Sequence, residues 1–250
     1  MLFRSLPGIR HVVAVASGKG GVGKSTVAAN LALALHASGQ KVGLMDADIY
    51  GPSVPIMFGL GMVNPQTTPF PLHKHGIALM SMGFMVDPNQ AVIWRGPKVA
   101  QAVQAFLGQV PWGELDFLVI DLAPLTGAVI VTTPQDVSLI DARKGVKMFE
   151  EVRVPVLGVI ENMSYFIGDD GKRYEIFRSG GGAKLAAEIG VPFLGDLPID
   201  PRVAECGDTG EPIVRKHPDS PVSKAYLKLA ATVIAESAKP AAAPLPTVQL

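Results

Sequence analysis

The chain has 250 residues, 48% of them apolar, which suits one large α/β domain or two small ones with a sizeable core. Lys plus Arg and Asp plus Glu balance at 22 each, so charge gives no reason to expect nucleic acid or an anionic membrane as a partner. One cysteine, Cys206, excludes an internal disulfide, no apolar run has the length of a membrane span, and Met1–Arg10 lacks the apolar region of a signal peptide, so a cytoplasmic protein is expected.

In chain order, His11–Ala16 reads as a short buried strand, followed by a Gly-rich loop and a helix over Ser25–Ser38 that stops at Gly39. Val42–Met45 is a second buried strand. Strand, helix, strand within about 35 residues is a βαβ unit and implies a parallel sheet with helices on both faces. Further strands are predicted over Ile77–Met82, Phe117–Ile120, Ala128–Val131, Val156–Ile160 and Phe193–Leu197, and helices over Lys98–Leu107, Asp136–Val152, Ala183–Ile189 and Val222–Ala235. The last helix carries Val222, Ala225, Tyr226, Leu229, Val233 and Ile234 as a packing stripe; Lys224 and Lys228 are too few for a membrane-surface helix. Residues 1–237 are expected to form a single domain, and the Ala- and Pro-rich residues 238–250 a disordered tail.

Residues Gly18-Lys19-Gly20-Gly21-Val22-Gly23-Lys24-Ser25 match G-x-x-x-x-G-K-[ST]. The glycines let several backbone N–H groups converge on phosphate oxygens, and the following helix adds its positive N-terminal end. Lys24 is expected to reach the β- and γ-phosphates of ATP and Ser25 to ligate Mg²⁺. The position of the motif between an apolar strand and a helix supports this reading. Asp46-Ala47-Asp48 ends the second strand, where carboxylates face the ligand crevice of a parallel sheet and can serve Mg²⁺ or an attacking water.

With these residues in hand, the loop Ser17–Thr26 resembles the deviant Walker A of MinD/ParA-like ATPases, in which an extra lysine, here Lys19, follows the first glycine. Asp46-Ala47-Asp48-Ile49-Tyr50-Gly51-Pro52-Ser53, Trp94-Arg95-Gly96-Pro97, Thr132-Thr133-Pro134-Gln135-Asp136, Asp141-Ala142-Arg143-Lys144-Gly145 and Glu161-Asn162-Met163-Ser164 resemble one branch, the Mrp/ApbC family of iron–sulfur cluster carriers, over about Leu6–Leu229. The resemblance implies a P-loop NTPase that hydrolyses ATP slowly, forms a homodimer and delivers iron–sulfur clusters to apoproteins. It implies that Gly18, Lys19, Gly20, Gly21, Val22, Gly23, Lys24, Ser25 and Thr26 hold the nucleotide phosphates, with Lys19 reaching the partner's ATP. It also implies that Asn162 contacts adenine, that Asp48 is the switch I carboxylate needed for hydrolysis, and that Asp121 is the Walker B acid near Mg²⁺, beside Ser25 and Asp46.

Two departures stand out. The family's Asp-Leu-Pro-Pro-Gly-Thr-Gly-Asp and its following helix are absent after Asp121, where Leu122–Gly127 runs directly into Ala128–Val131. Parallel strands need a crossover of about a dozen residues, and six residues span only roughly 20 Å. The second strand is therefore expected to pair antiparallel, one strand to leave the sheet, or Leu122–Gly127 to run as a stretched bare connection, with local disorder or rearrangement here. Second, the family's Cys-x-x-Cys pair is missing from Tyr165–Arg173. A four-iron cluster usually takes four thiolates, so the cluster stands on resemblance alone and Cys206 reads as a packed small residue. Two rival readings follow: a nucleotide-binding protein with little or no turnover, and a MinD/ParA-like positioning switch.

Other features read plainly. His73-Lys74-His75 is expected in a solvated loop, and Asp136 as the N-cap of its helix. Arg95 reads equally as a phosphate or partner contact and as an Arg at a helix start beside a structural Trp94. Gly180-Gly181-Gly182 lacks a following Lys-Ser/Thr and is not a second phosphate loop.

Overall fold

The computed structural model describes residues 6–48, 51–61, 63–65, 67–85, 96–121, 128–151 and 155–239. Among the described residues nine strands form one sheet: β1 Ile9–Ser17, β2 Val42–Asp46, β3 Leu72–Lys74, β4 Ile77–Ser81, β5 Leu115–Asp121, β6 Ala128–Thr132, β7 Val156–Ile167, β8 Arg173–Tyr174 and β9 Phe193–Ile199. Their order is β3-β4-β2-β5-β1-β6-β7-β8, with β9 also paired to β7. All pairings are parallel except β3 with β4 and β7 with β8. The helices are α1 Lys24–Ala37, α2 Val54–Met57, α3 Gly96–Gln109, α4 Asp136–Glu151, α5 Gly181–Glu188, α6 Pro201–Asp208, α7 Ile213–Lys216 and α8 Pro221–Ser237.

The central strands are apolar on both faces because helices cover both. Successive residues point to opposite sides. Leu44, Val119 and Val129 pack with α1 and with Tyr226, Leu229 and Val233 of α8. Their neighbours Met45 and Ile120 pack with Val103 and Phe106 of α3, while Ile130 packs with Leu139, Ala142 and Val146 of α4. Helix α1 is buried from Val27 to Leu35 because it lies between the sheet and α8. Among the described residues no helix is long and apolar enough to cross a membrane.

Register settles how β6 follows β5. Both strands run parallel to β1, on its two flanks, which overturns the antiparallel and the departing-strand expectations. Val15 pairs with Asp121 at the end of β5, and Ala14 pairs with Ala128 at the start of β6. The expected climb along a whole strand assumed that the two strands begin level. Instead β6 starts where β5 ends. The ends to be joined lie two strand spacings and one residue of height apart, roughly 10 Å. The expected stretched or rearranged connection over residues 122–127 lies outside the described residues, as do Trp94 and Arg95 and most of the tail, residues 240–250.

Other local expectations change. His73 and Lys74 are in β3, an edge strand, and not in a solvated loop; Lys74 pairs with Ile77 across a two-residue turn in which His75 (φ 51°) and Gly76 (φ 84°) are both left-handed. Strand β7 continues seven residues past the predicted Ile160, to Ile167. Helices α2, α6 and α7 and strand β8 were not anticipated. Asp136 is the first residue of α4 and pairs with Arg178 at 3.3 Å.

Candidate functional site: the loop between β1 and α1

The turn Gly18–Gly23 leaves the C-terminal edge of the sheet and feeds α1. Gly21 and Gly23 have φ of 81° and 83°, the left-handed region open to glycine at little cost. Gly18 lies so close to the Asp141–Ala142 backbone of α4 that no Cβ would fit. Gly20 and Gly21 face open space: a Cβ on either would meet no atom within 4 Å. Ser17 Oγ donates to the Lys19 carbonyl at 2.9 Å, and Val22 is buried, so the loop is pinned at both ends. Gly23 caps α1 without a side-chain hydrogen bond, and no acidic residue sits in the first turn. The positive end of α1 and its first N–H groups, beside half-buried Ser25 and Thr26, are therefore left for an anion.

Lys24 Nζ forms an ion pair with Asp121 Oδ1 and lies 3.8 Å from Asp48 Oδ2. Asp121 is wholly buried, and among the described residues its second oxygen, Oδ2, has no hydrogen-bond partner. Buried carboxylate oxygens are nearly always paired, so this one is open to a water or an incoming cation. Asp46 sits beside Asp121 in register, and Ser81 is level with Asp46 on the next strand. Asp46 is also wholly buried, but its oxygens are used: Oδ1 accepts from Asp48 N at 3.1 Å, and Oδ2 from Val54 N at 3.2 Å and Ser81 Oγ at 3.0 Å. Burial, and then the nearby Asp121 charge, raise its pKa to about 7 against the pull of those hydrogen bonds. Asp46 thus organises the switch-like turn after β2, while Asp121 has the oxygen to spare. Asp48 is half-buried and accepts from Gly51 N at 3.3 Å.

On the far side of the loop, Asn162 Nδ2 donates to the Val22 carbonyl at 2.9 Å. The neighbouring Glu161 is buried and accepts from Gly180 N (3.0 Å), Gly182 N (2.5 Å) and Ser164 Oγ (2.5 Å). The glycine turn before α5 is an anion site whose anion is the chain's own carboxylate. Neither Glu161 nor Ser81 was anticipated as a site-building residue; their partners come from other elements, and no local pattern signals them. Lys19 is half-buried in the loop and, among the described residues, makes no salt bridge.

The residues fit a nucleotide phosphate with Mg²⁺. Among the described residues no three His, Cys, Asp or Glu side chains converge as a metal site. A cation here would draw ligands from phosphate and water as well as protein, the usual habit of Mg²⁺. The residues do not fit a thiolate-held iron–sulfur cluster. The single cysteine, Cys206, is buried in α6 within the core under α1, and burial raises its thiol pKa.

Comparisons with known proteins place the chain in a family. A family model described as ParA, NUBPL iron-transfer P-loop NTPase, matches residues 8–234. The iron-sulfur cluster carrier protein of Aquifex aeolicus is 53% identical over 247 residues, covering 91% of this chain and 68% of that protein. The iron-sulfur cluster transfer protein NUBPL of Mus musculus is 46% identical over 252 residues, covering 92% and 79%. Among solved structures, a nucleotide-binding protein of Archaeoglobus fulgidus in complex with ADP is 38% identical with a TM-score of 0.69, covering 82% of this chain and 88% of that one. MinD of Pyrococcus horikoshii with Mg-ADP shares the fold at a TM-score of 0.67 and 24% identity, covering 90% and 96%. The chain belongs to the ParA family described as NUBPL iron-transfer P-loop NTPase.

Proposed function

We propose that this protein binds and slowly hydrolyses Mg-ATP as a homodimer in the cytoplasm and acts in delivering iron–sulfur clusters to apoproteins, with residues 1–237 as its single working domain. The observation that carries the nucleotide part is Lys24 held against Asp121, whose second buried oxygen has no partner among the described residues, at the mouth of a glycine loop. On binding, Lys24 exchanges Asp121 for the β- and γ-phosphates, while Gly18–Gly23 N–H groups and Thr26 surround the phosphate chain. Ser25 and Asp121, with Asp46 behind them, would hold Mg²⁺, which neutralises charge on the phosphate oxygens. Asp48 orients the attacking water, and Lys19 serves the ATP of the second copy. Relatives' names support the cluster role, yet this chain offers no Cys-x-x-Cys pair, so no step is assigned to a cluster bound on its own thiolates. Neutral net charge gives no electrostatic reason to add nucleic acid or an anionic membrane as a partner.

The first test is the melting temperature with and without Mg-ATP, for the wild type and Lys24→Ala. A ligand at a hundred times its dissociation constant adds about 2.7 kcal/mol. An upward shift abolished by Lys24→Ala is the expected result; no shift in the wild type would sink the nucleotide reading. A second reading, binding with little or no turnover, is favoured by the six residues that separate Asp121 from Ala128. Tight binding with no phosphate release would select it.

A further inference from the structure

We propose that Asn162 is a positioning residue of the phosphate-binding loop: through it, β7 holds the Val22–Gly23 peptide in the orientation that phosphate binding requires. The inference rests on reading Gly18–Thr26 as a phosphate cradle, and it assigns Asn162 a task separate from contact with the base.

Strand β7 is irregular where it passes the loop. Its pairing with β9 shifts register between Glu161 and Tyr165, and Met163 has a φ of 57°. A non-glycine residue in the left-handed region is strained, and such strain persists only where the surroundings over-determine it. Here they do. Glu161 is tied to the N–H groups that open α5 and to Ser164. Asn162, next to it, is 8% exposed and donates to the Val22 carbonyl across 140 residues of sequence. The bulge turns the asparagine toward the loop and anchors it from behind.

The Val22 carbonyl and the Gly23 N–H belong to one planar trans peptide and point in opposite directions. Drawing the carbonyl toward Asn162 therefore aims the N–H away from β7. Shape complements the bond: a Cβ on Gly23 would lie 2.5 Å from Asn162 Nδ2 and 4.0 Å from Met163 Cε, so the loop closes on this side chain only as glycine. Without the amide, the peptide is free to turn and present a carbonyl where an anion needs a donor.

The test is calorimetric titration of the full chain with Mg-pyrophosphate, Mg-ADP and Mg-GDP, for the wild type, Asn162→Ala and Asn162→Asp. Pyrophosphate has no base, so it separates the two tasks. Pyrophosphate and ADP affinities are expected to fall together by about five- to tenfold in Asn162→Ala, the worth of one buried hydrogen bond. They should fall further in Asn162→Asp, which keeps the shape but sets a carboxylate against the Val22 carbonyl and serves alone if the alanine variant is unfolded. Any wild-type preference for ADP over GDP should persist. Pyrophosphate affinity within about twofold of wild type would overturn the proposal, whatever happens to ADP. If the wild type binds none of the three, the cradle reading fails. Hydrogen exchange of the Gly20–Lys24 amides without ligand then decides: faster exchange in Asn162→Ala sustains the positioning role, and unchanged exchange overturns it.

Discussion

Lys24 has two competing partners, a buried carboxylate in the free protein and, on the reading above, a phosphate in the bound one. Its ion pair with Asp121 is buried on the carboxylate side and 20% exposed on the lysine side. Removing the lysine leaves Asp121 beside Asp46 with no cation, and breaking a fully buried pair costs about 3–5 kcal/mol. Partial exposure lowers the expectation for Lys24→Ala to about 2 kcal/mol. Adding Asp121→Asn removes the stranded charge, so the double variant should be more stable than Lys24→Ala alone in urea melts. A Lys24→Ala midpoint equal to wild type would show that the pair contributes nothing. At Cys206, burial decides the outcome. After iron and sulfide reconstitution, any visible absorption band should be the same in wild type and Cys206→Ser; a band lost in the serine variant would make this thiol a ligand. The loop residues themselves were legible because their spacing is the chemistry. The contacts that hold them were not: nothing in the sequence singles out Ser81 for Asp46, and the resemblance names Asn162 for adenine and not for the Val22 carbonyl, because register and bulges bring these groups together and sequence distance hides them.

Among the elements, those with long apolar runs were readable and those built by caps and edges were not. The central strands and α1 announce themselves through Val, Leu and Ala with glycine stops. Helix α6 escaped notice because only Cys206 of its eight residues is buried, although Asp200-Pro201 is a cap followed by a proline at the first turn. Strand β7 reads as ending at Ile160 because Glu161, Asn162 and Ser164 are polar, yet each is buried and hydrogen-bonded. The α6 cap is testable through pH. Asp200 Oδ1 accepts from Arg202 N at 3.0 Å, and its carboxylate grips the Arg202 guanidinium at 2.6–2.9 Å. The Arg202 side chain, first among the causes, holds the Asp200 pKa below its ordinary 3.8. A carboxylate with a lowered folded-state pKa stabilises fully above its unfolded value and loses that stabilisation as the pH falls through the folded one. Asp200→Ala should therefore cost about 1 kcal/mol near neutrality. The gap to wild type should close as the pH falls below the ordinary carboxylate value in denaturant melts; a gap independent of pH would leave the cap without an electrostatic share.

At the scale of the whole molecule, the question is whether a sheet can tolerate six residues between two of its central parallel strands. Strands lying side by side and level could not be joined so briefly. In the fold they flank β1 and are offset along it by almost a full strand, with β5 pairing Ile9–Val15 and β6 pairing Ala14–Ser17. No propensity scale encodes that offset; it follows from where α4 and β7 seat β6. The ends lie roughly 10 Å apart, while six intervening residues reach about 20 Å. Six residues are therefore enough to reach between the two ends, and lengthening the connection should cost only chain entropy. Inserting six Gly and Ser residues between Leu125 and Thr126 doubles the connection, for which loop closure predicts a loss of about 0.6 kcal/mol. A taut join would behave in the opposite way, because added length would relieve strain and raise the melting midpoint. Urea melts of the two chains separate the cases by sign. A small loss with a single cooperative transition follows from the offset register. A gain in stability would mean that the six residues are under tension and that β1, β5 and β6 are held against it.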